Sequence, residues 1–524
     1  MKTFFLRSLV LASVLFAATS CNDEEFFGLD NPPEFPWQSI LEFEKAPVGA
    51  YYGLTGNGGG RSIFGIGRIA GEIYADGVQI ADPEFGFQPN EDVVQMFQRN
   101  TTDAQVPVFD NGLFRSGYFA VGFANGALDF FYSPENNGNP FPDADLENNR
   151  RIGGELHFIR AYAYYWLVRV YSPAFPDDTP RLPFRTTQAK NFDEAIESEL
   201  GSTSEIYEFI LEDLQRAKDL LPERYVSGLH PDIYADGRAN RFAAAALRAK
   251  VLFHIGRYDE ALTELNYVID DNGGDYDLSE EPLAAWATTG VQRGKETIWY
   301  YALWAGDGLG GQRNWKHPSR MADYNAFNRN GDGAANNGNR YLPASDHFLQ
   351  SVGWADENLN ETEEALSDLR YQQLYLRFTP EVDTLNDPRT EFVPTRPYVW
   401  GNKYYRSDRR STNLPILRLA DMVLLRAIIR AELGSSQDID GARADLNMVR
   451  NRAGLADFDG SDAELADAIH TERFKEMAFE GDRLFYLQGI GAEIPASSGR
   501  PAVPSKGGWY VGIPDFETEV NLAY

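Results

Sequence analysis

Residues 302–327, ALWAGDGLGGQRNWKHPSRMADYNAF, hold the side chains best suited to recognition chemistry. Trp304, Trp315 and Tyr324 stand in a polar, glycine-rich run with no apolar stripe for them to fill. A flat indole or phenol ring can offer its face to the apolar side of a sugar ring or to a peptide side chain. Arg313, Asn314 and Asp323 can hydrogen-bond hydroxyls or amides and set the orientation of such a ligand. Gly308, Gly310 and Gly311 let the backbone turn sharply between the rings. The stretch 80–110 has a similar loop-like character, and Phe87 and Gln88 are its candidates for an opposite wall. This is chemistry of capture. The competing role for Trp304 and Trp315 is to fasten a long insertion to its scaffold.

Chemistry of conversion is thinly represented. There is no nucleotide loop, zinc-type spacing or nucleophile elbow. The six histidines are scattered, and His157 and His254 fall in helical stripes as core or interface residues. Carboxylate pairs abound in a chain with 78 acidic and 48 basic residues, so they are poor evidence for a glycosidase. Glu472, Glu476 and Glu480 share one helix face, suited to neighbouring helix ends and arginines. No catalytic residue is assigned, and a surface hydrolase is the most remote reading. Asn328-x-Asn330-x-Asp332-Gly333 resembles the first half of a calcium loop, but Asn339 stands where the bidentate acid belongs. No cofactor is therefore expected, with a structural calcium at Asn328, Asn330 and Asp332 as the weaker alternative to an Asn/Gly turn.

The N-terminus reads as a targeting segment, residues 1–20. Lys2 and Arg7 flank an apolar run, Leu9 to Ala18, too short for a retained membrane span. Cys21 follows Ala18-Thr19-Ser20 and is the only cysteine in the sequence, so it cannot form an intramolecular disulfide. The junction resembles a bacterial lipobox, with Ala18 where leucine is usual, and marks Cys21 for lipid attachment. The acidic Asn22-Asp23-Glu24-Glu25 that follows resembles a Bacteroidetes surface-export signal. No other run is apolar enough to cross a bilayer. A formal charge of −30 repels nucleic acid and anionic lipid. Aromatic content of 13% argues against disorder.

These side chains need a frame, and Gly237 to Asp271 supplies its clearest part. An Ala/Leu-rich helix stops at Gly256, and Tyr258-Asp259 opens a second with Ala261, Leu265 and Val268 in one stripe. The pair looks like a tetratricopeptide (TPR) unit. Residues 442–449, ARADLNMV, repeat the offsets of 261–268, ALTELNYV, again after a glycine, Gly434. Residues 152–171 form another strong helix, with Glu155 and Arg160 as a structural ion pair or cap. Ser204 N-caps a helix that Pro222 ends. Helices are also expected near 42–56, 112–133, 414–432, 438–453 and 462–480. Gly56 to Gly67 interrupts any regular pattern, and the part after Gly489 reads as loop. Residues 272–412 carry five of the nine tryptophans and little helical period. The predicted fold is mainly α: one domain, 21–524, with a helical scaffold at about 40–56, 112–271 and 414–480. The loop-rich ligand side is at about 57–111 and 272–412.

Taken together, the blocks of this sequence resemble the SusD/RagB family of outer-membrane nutrient-binding lipoproteins. The first is Glu155-x-x-x-x-Arg160-Ala161-Tyr162 with Leu167-Val168 and Leu182-Pro183. Then come Ser204-x-x-Tyr207-x-x-Ile210-x-x-Asp213-Leu214-x-x-Ala217, Leu221-Pro222 and Gly237-Arg238-Ala239. Lys403-Tyr404 precedes Pro415-Ile416-Leu417-Arg418-x-Ala420-Asp421. Leu446-Asn447-x-Val449-Arg450-x-Arg452-Ala453-Gly454-Leu455 and Glu472-Arg473-x-x-Glu476-x-x-x-Glu480-Gly481-x-Arg483 complete the series. Arg426 departs from the acid often found there, and Tyr486 and Gln488 from the usual Asp and Arg. The resemblance implies four TPR-like helix pairs, a loop-rich ligand side, and a hinged lid over a SusC-like TonB-dependent transporter. It implies a lipid-anchored protein on the outer membrane, facing outward, that binds oligosaccharide or polysaccharide without catalysis or nucleic acid. Peptide binding, as in RagB-like members, and a TPR protein-interaction scaffold are the rival readings. The aromatic insertion favours a ligand-binding role over a bare scaffold.

Overall fold

A computed structural model describes residues 37–55, 62–81, 91–102, 106–107, 109–142, 146–226, 230, 237–286, 293–302, 342–379, 396–404, 413–506 and 509–524. Its principal helices are α1 (Lys45–Leu54), α2 (Arg68–Ile73), α3 (Arg115–Phe131), α4 (Leu146–Tyr171), α5 (Thr203–Leu220), α6 (Arg241–His254) and α7 (Tyr258–Asp270). After them come α8 (Leu419–Ile428), α9 (Ile439–Arg452), α10 (Leu465–Met477) and α11 (Arg483–Ile490). Four short strands matter here: β1 (Thr297–Tyr301), β2 (Tyr375–Phe378), β3 (Tyr398–Gly401) and β4 (Leu414–Arg418). Residues 37–44 form a small unit of their own, in which Ser39 caps a single helical turn and Trp37 meets Phe43 edge-on.

Local chemistry explains the helix ends. Ser202, two residues before the expected Ser204, caps α5: its hydroxyl accepts from Glu205 N, and the Glu205 carboxylate accepts in return from Ser202 N. Asn240 caps α6 through a 2.9 Å bond from Ala243 N. Gly256 follows at φ +81°, a left-handed turn that suits glycine.

Packing then proceeds along the chain. In sequence, α1 packs on α3, α3 on α4, α4 on α5, α5 on α6, and α6 on α7. From there α7 leads to α8, which rests on both α9 and α10. The small side chains of Ala243 to Ala246 are all buried, which lets α6 sit close between its neighbours. The repeat read from the sequence is real at the level of burial. Ala261, Leu265 and Val268 are buried in α7, as Ala442, Leu446 and Val449 are in α9. The fold is mainly α, and its consecutive helix pairs are consistent with a TPR-like scaffold.

Several expectations need correction. Residues 414–418, expected to open a helix, form β4 and pair antiparallel with β1. Pro415 and β-branched Ile416 favour that extended start. The stretches expected to be loop-rich carry α2, a π-helical turn at Ile63–Gly67, a helix at Glu91–Phe97, and short helices at Asp346–Ser351, Glu363–Ser367 and Leu369–Leu374. All six residues of α2 are buried, so it has no polar face and no 3.6-residue signature. After Gly489 a strand pair, Glu493–Ile494 with Val503–Pro504, and a helix, Asp515–Val520, replace plain loop. Glu155 and Arg160 do not pair with each other: Glu155 binds Arg151 and Arg238, and Arg160 binds Asp213. Trp286, Trp299 and Trp354 of the insertion are fully buried. Trp299 meets Phe158 and Tyr162 of α4 at 4.8 and 4.9 Å and donates from Nε1 to Gly237 O.

Candidate ligand-binding face

Every ligand-site residue read from the sequence lies outside the described residues. That holds for Trp304, Arg313, Asn314, Trp315, Asp323 and Tyr324, for Phe87 and Gln88, for Cys21, and for Asn328, Asn330 and Asp332. Described residues that border three such stretches meet: 77–79, 343–345 and Val399. Val78 and Ala344 form an antiparallel bridge. Gln79 N donates to Pro343 O at 3.0 Å, and Ser345 N to Gly77 O at 3.0 Å. Ala344 N donates in turn to Val399 O of β3 at 2.8 Å. The residues that lead into 82–90 and out of 303–341 are therefore stitched together beside the β2–β3 hairpin, whose strands border 380–395. Ala81, Tyr398 and Trp400 pack into a buried cluster there, with Leu376 against it.

On this apolar base stand partly exposed Asp346, Arg396 and His347, beside buried Gln79 and Asp76. Asp346 accepts from Gln79 Nε2 at 3.1 Å and pairs with Arg396 Nη1 at 2.6 Å. The Arg396 guanidinium lies 4.5 Å from the Tyr398 ring centroid. Burial works against its charge, but bonds to Tyr398 and Asp346 raise its pKa. His347 Nε2 sits 3.3 Å from Asp76 Oδ2, and Asp76 takes a two-point grip from Arg483 at 2.8 and 2.9 Å. Burial alone would push the Asp76 pKa up, and the Arg483 pair overcomes it, holding the carboxyl well below the usual range. Such an edge, with fixed donors and acceptors over aromatic rings, can orient hydroxyls or amides. Sequence reading missed it because Gln79, Asp346 and Arg396 share no motif and meet only through the fold.

The carboxylates of α10 and of the turn after it serve the scaffold, as their helical spacing predicted. Glu476 pairs with Arg418 at 3.0 Å and Arg452 at 2.6 Å, and Glu472 pairs with Arg370 at 2.7 Å. Glu480 pairs with Lys403 at 2.8 Å and with Arg418 at 2.5 Å. His157 is a core residue on Asp213 at 2.7 Å, and burial lowers its pKa. The departures from the family pattern have their own partners. Arg426 binds Asp445 and Asp270, Tyr486 bonds His470 at 2.6 Å, and Gln488 donates to Ser505 O.

Two family models match the chain. The one described as SusD family covers residues 292–488, and one described as starch-binding, associating with outer membrane, covers 78–253. The chain belongs to the SusD/RagB family. A relative, SusD-like protein P2 of Formosa agariphila, is 25% identical over 547 residues, covering 96% of this chain and 94% of that protein. A SusD superfamily structure from Bacteroides vulgatus superposes with a TM-score of 0.69 at 19% identity, covering 93% of this chain and 99% of that one. Surface glycan-binding protein A from Bacteroides uniformis gives 0.66 at 19% identity, with the same shares covered. At these identities the likeness establishes a SusD fold. No helix among the described residues is long and apolar enough to cross a membrane.

Proposed function

We propose that this SusD-family chain is a lipid-anchored binding protein of the outer membrane, facing outward. It captures glycans and delivers them to a partner TonB-dependent transporter. It binds its cargo and does not cleave it. The observation that carries this reading is the meeting of three loop flanks at one aromatic, polar edge, Ala81–Tyr398–Trp400 with Gln79, Asp346 and Arg396. The candidate residues Trp304, Trp315, Tyr324, Arg313, Asn314, Asp323, Phe87 and Gln88 lie in stretches that lead into or out of that edge, and we assign ligand contact to them. Family membership supports glycan as the ligand class, since a relative of the same fold carries that role in its name. Attachment at Cys21 accounts for membrane association without a spanning helix.

The test is a glycan array followed by calorimetry, run beside a peptide library. Saturable binding of one glycan class, with no turnover of that glycan, supports the reading. Selective binding of peptides would transfer the same scaffold to peptide import. Co-purification of a large outer-membrane protein in mild detergent tests the transporter. Recovery of this chain alone across several detergents would count against the partner.

A further inference from the structure

A cavity of about 70 Å³ lies where α4, α6, α8, α10 and α11 converge. That is several times the roughly 10–15 Å³ needed to admit one water. Its lining is charged. Lys250, Arg473, Asp421 and Asp482 share it with Arg68, Arg169 and Glu480. The three carboxylates already have cations. Asp421 and Asp482 each accept from Arg473 Nη2 at 2.7 Å and from Lys250, and Glu480 is held by Lys403 and Arg418.

Arg169, in the last turn of α4, is different. It is 7% exposed. Its guanidinium carbon lies 3.9 Å from the Tyr165 ring centroid and 4.0 Å from those of Trp166 and Phe485. Those ring faces offset charge but cannot accept its in-plane N–H bonds. No carboxylate or carbonyl among the described residues accepts from it, and Nε is buried without a partner. Two further lining donors, Trp166 Nε1 near the Tyr162 hydroxyl and Arg473 Nε, are buried with no hydrogen bond formed. All the fully buried, unpartnered polar atoms on the lining are donors. His254, also on the lining, turns Nδ1 toward Phe485 O, and burial with the nearby Arg169 charge lowers its pKa to about 3, so it stays neutral.

We propose that this cavity binds a small monovalent anion, a halide or a carboxylate no larger than formate, against the edge of Arg169 and the indole N–H of Trp166. A water molecule brings as many donors as acceptors and leaves the guanidinium charge in place. An anion accepts only, and it neutralises a lining arginine that, among the described residues, has neither a carboxylate nor a hydrogen-bonded carbonyl. The site ties α4 to α11 through Phe485, so its occupancy stabilises the scaffold rather than the ligand face.

Bromide is the probe. Crystals of the protein grown or soaked in sodium bromide should give an anomalous peak in the cavity, within hydrogen-bond distance of Arg169. In solution, the thermal midpoint should rise saturably when a bulky organic anion is replaced by bromide at constant ionic strength. Arg169→Met, which keeps the apolar stem, should remove that rise. Trp166→Phe, which removes only the N–H, should weaken the bromide midpoint severalfold and serves if the arginine variant does not fold. A cavity without anomalous signal in bromide, or a bromide-dependent rise unchanged in Arg169→Met, would overturn the proposal.

Discussion

Glu72 ties the stability of the fold to pH. It is fully buried in α2, and its Oε1 accepts from Gly481 N at 2.8 Å and Asp482 N at 3.3 Å, just ahead of α11. Its other oxygen has no partner. Burial pushes its pKa up to about 7, and the Asp482 charge adds to the shift against the pull of the Gly481 N–H and Lys403. The folded-state pKa is thus above the unfolded one, so the stabilising state is the protonated one. Its contribution is complete below about pH 4 and is lost as pH rises towards 7, at about 1.4 kcal/mol per pH unit. Glu72→Gln mimics the protonated acid. Its unfolding midpoint should exceed that of the wild type near pH 8, and the two should converge near pH 4; equal midpoints at both would refute the assignment. Asp213 has the opposite sign. Arg160 and His157 overcome the effect of its burial and hold it at about 2. Its share of stability is present above about pH 4 and disappears as pH falls towards 2.

At the scale of elements, α2 and α11 meet so closely that side chains are excluded. A Cβ added at Gly71 would stand 2.1 Å from the Gly481 carbonyl oxygen, whereas one at Gly256 would meet nothing within 4 Å. Gly256→Ala should therefore cost only about 1 kcal/mol, from its left-handed backbone. Gly71→Ala forces two backbones apart and should cost at least ~2–3 kcal/mol. Denaturant unfolding of both variants checks the order, and the reverse order would contradict the packing described. The same contrast shows what the sequence makes legible. The α6–α7 hairpin and its echo in α9 carry alanines and leucines at helical spacing, so their positions follow from local preference and period. The buried α2, strand β4 and the edge formed by Gln79, Asp346 and Arg396 do not, because contacts distant in sequence decide them. The tryptophans mark the limit of composition as a guide: Trp299 and Trp354 share an aromatic-rich insertion with Trp315, yet both are core residues.

For the whole molecule, the proposal is capture at one edge and attachment at Cys21. Cys21→Ala should move the protein from the membrane fraction to the soluble one, and unchanged fractionation would refute the anchor. The most direct test of the central claim is calorimetric titration of wild type and Trp315→Ala with the glycan selected by the array, alongside their thermal midpoints. Stacking of such a ring is worth about 1–3 kcal/mol. The account predicts binding weakened about tenfold or more, since 1.4 kcal/mol is a factor of ten, with the midpoint nearly unmoved. A lowered midpoint with unchanged affinity would contradict it and make Trp315 a fastening residue like Trp299.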